Sequence, residues 1–408
     1  MNERKGKKEV LYVWPYLNWG GAQIYFMGLM KLARARYAVS ALMPRGSADR
    51  VLGYMQHLGV PCEFFDSHFD NAPIHNLRDK LRRRLKKAQT DFAIARHLGW
   101  SRRRRATLHV DIGPWQSFWL LLYLSWRGQV LVTLHTALPQ ISLSRGFAWK
   151  LKFNILGRMK GFHLLASNRD VRESLKPFLS EKIVSKIRLA YSGVDVCEIK
   201  EALAPEFNRA ELCRRYGLPT DRFYVFAVGQ FIERKGCWVL LEAAQKLMRE
   251  HPEMMFVWIG TGKLDEETAR RVEEYGLSDS FRLLSSDEIG QSRLDLLTLL
   301  RLADLFVLPS SNEGLPVALL EAMALGKACI ASRINAIPEA VTDGETGILI
   351  PPGDSASLAN AIAKMLADDV ARVSLARAGQ AHVLANFDER RTAQITVGLY
   401  DECALERV

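Results

Sequence analysis

A chain of 408 residues is too long for one ordinary domain and suits two domains of about 200 residues each. With 48% hydrophobic and 25% charged residues and no low-complexity tract, its composition excludes a largely disordered or fibrous protein. The formal net charge is +11, and residues 1–110 carry all of the excess, with 21 Lys and Arg against 8 Asp and Glu, which predicts an anionic partner for that part.

The N-terminal end is basic but lacks the features of a secretory signal. Residues 1–14 contain no apolar run of about 7–15 residues and no small-residue cleavage site. No run in the chain reaches the roughly 18 apolar residues that a spanning helix needs. The six cysteines are scattered without metal-ligand spacing, which is typical of a reducing compartment. We therefore expect a cytoplasmic protein, with peripheral attachment to the inner face of the membrane as an option.

Short apolar strands alternate with longer helical segments through the first half of the chain. Helical patterns cover, for example, residues 22–35 and 171–175. The predicted strands are Val10–Val13, Ala38–Met43, Leu108–Asp111, Val130–Leu134, Phe162–Ala166 and Ile187–Ala190. This alternation predicts a parallel sheet with helices on both faces.

The same alternation restarts in the second half. Residues 194–221 hold polar turns and no clear strand, so we expect a linker there. The predicted strands that follow are Tyr224–Val228, Met255–Ile259, Phe281–Leu284, Leu305–Leu308, Ala328–Ala331 and Gly347–Ile350. The fold class is therefore α/β, with two Rossmann-like doubly wound domains, 1–192 and 193–388, facing each other across a cleft. A C-terminal helix, about 389–408, is expected to pack back on the first domain.

Two basic runs lie in the first half, residues 78–87 and 102–105. A solvated helix face, nucleic acid and an anionic membrane surface are the alternatives. No zinc finger, RNP motif or aromatic–basic interleaving supports nucleic acid. We therefore expect contact with anionic lipid, where each Lys or Arg near the surface contributes about 1 kcal/mol.

The apolar run Phe118–Leu124 is too short to span a membrane. We interpret it as a buried helix, with a helix lying in a membrane interface as the alternative.

Residues 305–322 carry the strongest chemical signal. A buried strand runs into a polar loop, and Pro316 suits the start of the helix that follows. Glu313 lies in the loop, and Glu321 lies eight residues further on, in the helix. Carboxylates accept hydrogen bonds from sugar hydroxyls, and free N–H groups at a helix N-terminus favour a phosphate. The segment therefore predicts a site for a sugar phosphate.

Glu313 and Glu321 resemble the paired glutamates, with seven residues between them, of the GT4 family of retaining GT-B glycosyltransferases. Residues 228–236 (VGQFIERKG) resemble the donor-phosphate loop of that family. Residues 343–354 and 191–195 are similar to two further family segments. These motifs follow the family's order and cover nearly all of the C-terminal half.

The resemblance implies roles for residues at the donor. Lys235 would neutralise the diphosphate, Glu313 would hold the transferred sugar together with the amides of Gly314 and Leu315, and Glu321 would bind the nucleotide ribose. These roles make Glu313 and Lys235 catalytic candidates.

The chain departs from the family at Gln230, where an arginine is usual in the phosphate loop. We take Arg234 as the substitute cation, with a solvated loop charge as its alternative.

In the first half, Gly20 and Gly21 follow the first predicted strand and open a helix. Glycines permit close backbone approach to a phosphate, and the family's matching loop lies over the donor phosphates. His135, at the end of another strand, stands where the family often has a histidine near the donor sugar, so it is the third catalytic candidate. Asp111 also ends a strand and receives no role.

The chain is thus expected to be a retaining glycosyltransferase that moves a sugar from a nucleotide-diphosphate sugar to a glycan or lipid-linked acceptor. Synthesis of cell-surface polysaccharide or glycolipid is the expected setting. No metal site is predicted, no cofactor beyond the donor substrate is expected, and nucleic acid is not a partner. Two alternatives stay open: a catalytically silent module of the same fold that binds glycans or proteins, and an epimerase or hydrolase acting on nucleotide sugars.

Overall fold

The computed structural model describes residues 7–17, 21–68, 76–100, 106–139, 141–290 and 292–405. By its contacts the chain divides into two compact units. The first unit runs to Tyr191 and takes in the chain from Thr392 onward, and the second unit is Ser192–Arg391. Each unit has its own sheet, and all strand pairs are parallel.

The first unit is built on a seven-stranded sheet. Its strands are β1 (Glu9–Val13), β2 (Ala38–Pro44), β3 (Cys62–Phe65), β4 (Thr107–Val110), β5 (Val130–Leu134), β6 (Phe162–Ala166) and β7 (Arg188–Leu189). Their order in the sheet is β3-β2-β1-β4-β5-β6-β7. The helices between them are α1 (Gly21–Ala33), α2 (Asp49–His57), α3 (Leu77–Trp100), α4 (Phe118–Arg127), α5 (Leu143–Leu156), α6 (Arg169–Leu175) and α7 (Glu181–Val184).

Alternate residues of each central strand supply two different cores. In β1, Leu11 and Val13 pack in one cluster with α3, α4, α5 and α6. Val10 and Tyr12 pack on the opposite face, against α1 and α2. Because both faces are covered, the strands read as continuous apolar runs, and this explains why most of them could be predicted.

The second unit repeats the pattern with six strands. They are β8 (Phe223–Val228), β9 (Met254–Ile259), β10 (Phe281–Leu284), β11 (Leu305–Leu308), β12 (Ala328–Ser332) and β13 (Ile348–Ile350), in the order β10-β9-β8-β11-β12-β13. The helices are α8 (Val196–Leu203), α9 (Arg209–Arg215), α10 (Cys237–Leu247), α11 (Asp265–Glu274), α12 (Ser286–Ile289), α13 (Arg293–Leu300), α14 (Val317–Ala324), α15 (Ile337–Ala340), α16 (Ser355–Ala367) and α17 (Asp369–Asn386). The last helix, α18 (Glu389–Leu405), begins in this unit and belongs to the first unit from Thr392. A 3₁₀ turn covers Glu233–Lys235. The prediction of two doubly wound parallel sheets is confirmed.

The linker expected at 194–221 is wrong, because α8 and α9 occupy most of that segment and belong to the second unit. Both helices begin at a capping side chain: Asp195 accepts from two backbone N–H groups and Asn208 from one. Helices of seven or eight residues are too short to show a helical period in the sequence. The edge strand β3 was also missed, because it has only four residues and most of them are half-buried.

The interpretation of Phe118–Leu124 as a buried helix is confirmed for one face of that helix only. One face of α4 is buried through Leu120, Leu121 and Leu124, but Trp119 and Trp126 are each 77% exposed. None of the helices within the described ranges combines the length and apolarity that crossing a bilayer requires.

Both sheets reverse their strand order at one point, and this fixes where ligands can enter. β1 lies between β2 and β4, and β8 lies between β9 and β11. In doubly wound sheets the loops diverge at this switch point and leave a crevice outside the carboxyl ends of the strands. Predicted site residues of the second unit lie in the loops after β8 and β11.

Candidate functional site

The loops after β8 and β11 meet at the switch point of the second sheet. The Ser311 N–H donates to the Arg234 carbonyl oxygen at 2.8 Å and ties the two loops together. Next to this contact, Lys235 Nζ donates to Glu313 Oε1 at 2.6 Å. The structure therefore joins two of the three predicted catalytic residues, which are 78 positions apart in the chain.

Glu313 is almost completely buried and has three polar neighbours. Besides Lys235, the Ser310 hydroxyl donates to Oε1 at 2.7 Å, and Arg234 Nη1 lies 3.8 Å from Oε2. A buried carboxylate needs such partners to remain ionised. Because Lys235 and Arg234 converge on one carboxylate, this group of three carries one positive charge in excess, where an anion can be held.

Gly236 is required by the close approach of these loops. Its φ of +79° lies in the left-handed region, and a Cβ there would lie 2.0 Å from the Pro309 carbonyl oxygen. Only glycine allows the phosphate-loop backbone to pass so near the end of β11. The position of Lys235 beside Glu313 thus depends on its neighbour having no side chain.

The loop from Glu313 leads into α14, whose N-terminus presents unused donors. Within the described part of the chain, the backbone N–H groups of Gly314 and Leu315 have no hydrogen-bond acceptor. α14 begins at Val317, after Pro316. Free N–H groups at the start of a helix attract anions, so the two predicted amide donors stand next to the cations that face Glu313.

Glu321 lies on α14 and is buried against Arg293 at the start of α13. Arg293 Nε is also 3.7 Å from Glu198 Oε2. Burial raises the pKa of Glu321, while Arg293 acts to lower it. The side chain expected to bind a ribose therefore makes an ion pair with a residue that the sequence did not single out.

Asn335 is a second residue that sequence reasoning missed. It follows β12, its Oδ1 accepts from the Glu313 N–H at 3.2 Å, and its φ is +43°. Among non-glycine residues asparagine tolerates this conformation best. The sequence did hold a sign of this role, because Asn335 follows a predicted strand closely, as Glu313 does. No pattern in the neighbouring residues, however, showed that the two loops meet.

The remaining predicted site residues belong to the first unit. Gly21 begins α1, while Gly20 lies outside the described residues. His135 follows β5, and the ring of Tyr25 packs edge-on against it at 5.1 Å. Within the described ranges its buried Nε2 has no hydrogen-bond partner. Burial lowers the pKa of His135 to about 4, so the ring is neutral near pH 7.

Asp111 follows β4, the strand beside β5, so it ends at the same edge of the sheet as His135. Its N–H donates to the Val13 carbonyl oxygen at 3.0 Å. Burial raises the pKa of its carboxyl group to about 7. A carboxyl group that titrates near neutrality can exchange a proton with a ligand, which a normal surface aspartate cannot do well.

The first basic run, 78–87, forms the N-terminal part of α3, where its side chains are mostly exposed. The second run, 102–105, lies outside the described residues. In the part of the chain that the structure describes, no three His, Cys, Asp or Glu side chains are placed to hold a metal ion.

Comparison with known proteins gives a family for the second unit. Residues 208–382 match the family model described as "Glycosyl transferases group 1". Alpha-D-kanosaminyltransferase of Streptomyces kanamyceticus is 31% identical over 218 residues, 53% of this chain and 54% of that protein. Phosphatidyl-myo-inositol mannosyltransferase of Mycobacterium leprae is 28% identical over 303 residues, 73% of each chain. The chain spans only about half the length of several of these curated relatives.

Solved structures extend the likeness in fold to the whole chain. The crystal structure of Anabaena HepE in complex with UDP and glucose covers 97% of this chain and 100% of its own, with a TM-score of 0.75 and 17% identity. WaaG, a glycosyltransferase involved in lipopolysaccharide biosynthesis, covers 96% and 99% with a TM-score of 0.70 and 14% identity. With the two parallel sheets, this confirms the predicted GT-B fold class.

Proposed function

We propose that this chain, which belongs to the group 1 glycosyl transferases through residues 208–382, moves a sugar from a nucleotide-diphosphate sugar to an acceptor. The observation that carries the proposal is the group formed by Lys235, Arg234 and Glu313 beside the free N–H groups of Gly314 and Leu315. Cations and N–H donors suit a diphosphate, and a buried carboxylate suits sugar hydroxyls. Both chemistries occur in a nucleotide sugar.

The difficult step is breakage of the bond between the sugar's anomeric carbon and the diphosphate oxygen. As that bond breaks, negative charge accumulates on the departing phosphate, and fixed donors stabilise it without reorganisation. Lys235 and Arg234 supply positive charge, and the amides of residues 314–315 supply neutral donors. Glu313 orients Lys235 and accepts from the sugar.

These side chains supply the charge that a metal supplies in other transferases, so we propose a metal-independent reaction without a cofactor. Retention of anomeric configuration is proposed from the paired glutamates Glu313 and Glu321. For Glu321 we propose contact with the ribose, with the ion pair to Arg293 orienting the carboxylate.

For His135, Gly21 and the neighbouring Gly20 we propose contact with the donor substrate. A neutral imidazole with a free ring nitrogen can accept from or donate to a sugar hydroxyl. The acceptor is proposed to be a glycan or a lipid-linked sugar in cell-surface polysaccharide or glycolipid synthesis. The basic part of α3, with residues 102–105, would keep the enzyme at the cytoplasmic face of an anionic membrane.

One observation favours a different function. Gln230 takes the place of the usual phosphate-loop arginine, and loss of that charge is one way for the fold to become a silent binding module. Arg234 lies 3.8 Å from the carboxylate of Glu313. This position supports an active site in which Arg234 supplies the positive charge that Gln230 lacks.

The test is thermal unfolding of the protein with UDP, GDP, ADP, dTDP and CDP in turn. A ligand at a hundred times its dissociation constant stabilises by about 2.7 kcal/mol, enough to shift the midpoint visibly. We expect one nucleotide to raise the midpoint, and Lys235→Ala to abolish the shift. Lys200→Ala, which removes an exposed lysine of α8, is the matched control and should behave as the parent.

Loss of the shift in Lys235→Ala alone would identify the donor base and the diphosphate site together. If none of the five nucleotides shifts the parent, the transferase proposal fails and the silent module becomes the better description. If a nucleotide sugar is consumed to free sugar without any acceptor, the hydrolase alternative is correct.

A further inference from the structure

The outer faces of α4 and α5 expose large apolar side chains, although both helices are firmly packed on the sheet. α4 has a single charged residue, Arg127, and its two tryptophans, Trp119 and Trp126, are each 77% exposed. They lie seven residues apart, so they share one face of the helix, with the half-buried Leu122 and Tyr123 between them. A ten-residue helix that is apolar on its solvent side is abnormal for a surface helix.

α5 continues the pattern. Leu143, Phe147 and Leu151 are each more than half exposed and recur at intervals of four, and Ile155 follows at the same interval. They form one stripe along the helix, opposite the buried Phe153. We call the exposed side chains of Trp119, Trp126, Leu143, Phe147, Leu151 and Ile155 the apolar face.

Contacts of α5 with the start of α4 and with the turn before it hold this face in place. The rings of Trp115 and Trp149 stack at 5.0 Å. Lys152 Nζ donates to the Trp115 carbonyl oxygen at 3.2 Å and lies over the Phe118 ring. The apolar side chains are therefore displayed by a packed layer of helices and not by a loosely attached loop.

The charge carried by α4, α5 and the segments next to them has one sign. Residues 112–169, which contain α4 and α5, hold seven Lys and Arg and no Asp or Glu. Arg145, Lys150 and Arg158 are exposed on or beside α5. An occupant of this face must therefore be anionic as well as apolar.

α3 extends the same side of the unit, because it packs beside α4 in the same core cluster. Ser117 at the start of α4 donates to Asp91 of α3 at 2.9 Å. Leu77, Leu81 and Leu85 are exposed at intervals of four among the arginines and lysines of residues 78–87. Apolar and basic side chains thus alternate over three neighbouring helices.

We infer that the apolar face is a membrane-docking surface that inserts the side chains of α4 and α5 into the interface of an anionic bilayer. Tryptophan favours the level of the lipid headgroups, and an interfacial helix buries its apolar side about 5–10 Å deep while lysines and arginines meet anionic lipid. The inference rests on the proposed function, since a transferase with a lipid-linked acceptor must reach the bilayer. It adds apolar insertion to the electrostatic contact proposed for α3.

Two other occupants fit less well. In a two-fold dimer the same surface meets itself, so the exposed Arg145 and Lys150 would face their own copies without any carboxylate of residues 112–169 to oppose them. Nucleic acid takes cations and stacking aromatics along a groove, and the exposed leucines and isoleucine of α5 offer neither.

The test is sedimentation of the full chain with vesicles of phosphatidylcholine and phosphatidylglycerol, in low and high salt, beside vesicles of phosphatidylcholine alone. We expect binding to the anionic vesicles that persists in part at high salt, because salt screens the charges but not the insertion. Trp119→Ser with Trp126→Ser should lower partitioning at least tenfold, about 1.4 kcal/mol. The matched control, Val370→Ser with Val373→Ser, removes exposed apolar side chains of α17 in the second unit and should change nothing.

Quenching by brominated lipids reports insertion directly. Fluorescence of the parent should fall on binding, and Trp119→Phe with Trp126→Phe should remove most of that decrease while vesicle binding persists. Because the replaced side chains are exposed, unfolding midpoints without vesicles should match the parent and show that the variants fold.

Equal partitioning of the parent and the Trp→Ser variant, or no vesicle binding by the parent, would overturn the inference. So would a parent that elutes as a dimer when the Trp→Ser variant elutes as a monomer, since the face would then belong to a second copy. The nucleotide shift is measured on the same samples without lipid. If the protein binds vesicles but no nucleotide shifts its unfolding midpoint, the transferase proposal alone fails. If a nucleotide shifts the midpoint but the protein binds no vesicles, the docking surface alone fails.

Discussion

The proposal that Arg234 replaces the usual phosphate-loop arginine depends on where its side chain lies. The phosphate loop has Gln230 where an arginine is usual, yet the backbone of the 3₁₀ turn brings Arg234 Nη1 to 3.2 Å from the Asn312 carbonyl oxygen and 3.8 Å from Glu313. About half of its side chain is still exposed, so it can turn toward a ligand. Its charge is thus placed beside Lys235 by the fold of the loop.

Replacing Arg234 should weaken nucleotide binding without harming the fold. A hydrogen bond to a charged group is worth about 1.5–3 kcal/mol, so Arg234→Ala should raise the dissociation constant about tenfold or more in calorimetric titration. Arg333→Ala, which removes a similarly exposed arginine paired with Asp343, should leave it unchanged. If Arg234→Ala and the parent bind the nucleotide with equal affinity, Arg234 is a solvated loop residue that takes no part in nucleotide binding.

Asp111 should make stability depend on pH in an unusual direction. Burial raises its folded-state pKa to about 7, against about 3.9 in the unfolded chain. The folded state therefore holds the proton that the unfolded state loses, and stability falls as pH rises from about 4 to about 7.

Asp111→Asn should match the parent at pH 4 and exceed its free energy of unfolding by about 4 kcal/mol above pH 7, since the shift is about three pKa units and each unit corresponds to about 1.4 kcal/mol. Urea denaturation across this range measures the difference. Asp279→Asn, at an exposed position, is the control. A constant offset between Asp111→Asn and the parent at every pH would show that the Asp111 carboxyl is not the titrating group.

The turn that joins β8 to α10 is the element on which the candidate site depends most. Its Gly236 is the N-cap of α10 and lies against the end of β11. Gly217, after α9, shares the positive φ but has open space around its missing Cβ. Comparing substitutions at the two glycines therefore distinguishes the cost of backbone strain, which both share, from the cost of a steric clash, which only Gly236 has.

Gly236→Ala should destabilise the protein clearly more than Gly217→Ala. Both variants bear the cost of a left-handed alanine, about 1–2 kcal/mol, but only the first forces Pro309 to move. The extra cost should reach about 2 kcal/mol or more in urea denaturation, with nucleotide binding lost because Lys235 shifts. An equal loss of unfolding free energy in the two variants would mean that the loop after β11 can move away from the new Cβ at little cost.

Across the full length of the chain, the C-terminal helix is tied to the first unit by a buried hydrogen-bonded network. The Tyr400 hydroxyl donates to the Tyr12 hydroxyl at 2.9 Å and lies 2.6 Å from His109 Nδ1. His109 Nε2 lies 2.7 Å from the Thr133 hydroxyl. β1, β4, β5 and α18 thus share one polar chain inside an apolar core.

Tyr400→Phe should lower the free energy of unfolding by about 1–3 kcal/mol, because it leaves His109 Nδ1 buried without a partner. Tyr12→Phe removes only the end of the network and should cost less. Urea denaturation measures the loss, and faster amide exchange in β4 and α18 assigns it to the first unit. A larger loss for Tyr12→Phe would mean that Tyr12, and not Tyr400, is the central member of the network.

Most strands and the core of the site motif could be predicted from the chain alone. Buried parallel strands are continuous apolar runs, as in β8 and β11, and each ends at glycine, proline or polar residues that mark a loop. That pattern placed Glu313 after a strand and predicted two doubly wound sheets, whereas Lys235 was identified from the family resemblance. The roles of single residues at the site stay predictions.

What the chain could not reveal depends on which distant segments meet. Arg293 and Asn335 reach Glu321 and Glu313 from other segments of the chain. The positions of Trp119 and Trp126 in α4 do not show which side of the helix the sheet covers. Hydrophobic periodicity and the backbone preferences of single residues act over a few positions. The sequence by itself therefore determined most of the helices and strands and how the strands divide between two sheets. Only the tertiary structure decided which side chains share a site and which remain exposed, because burial and electrostatic contact are set by neighbours far away in the chain.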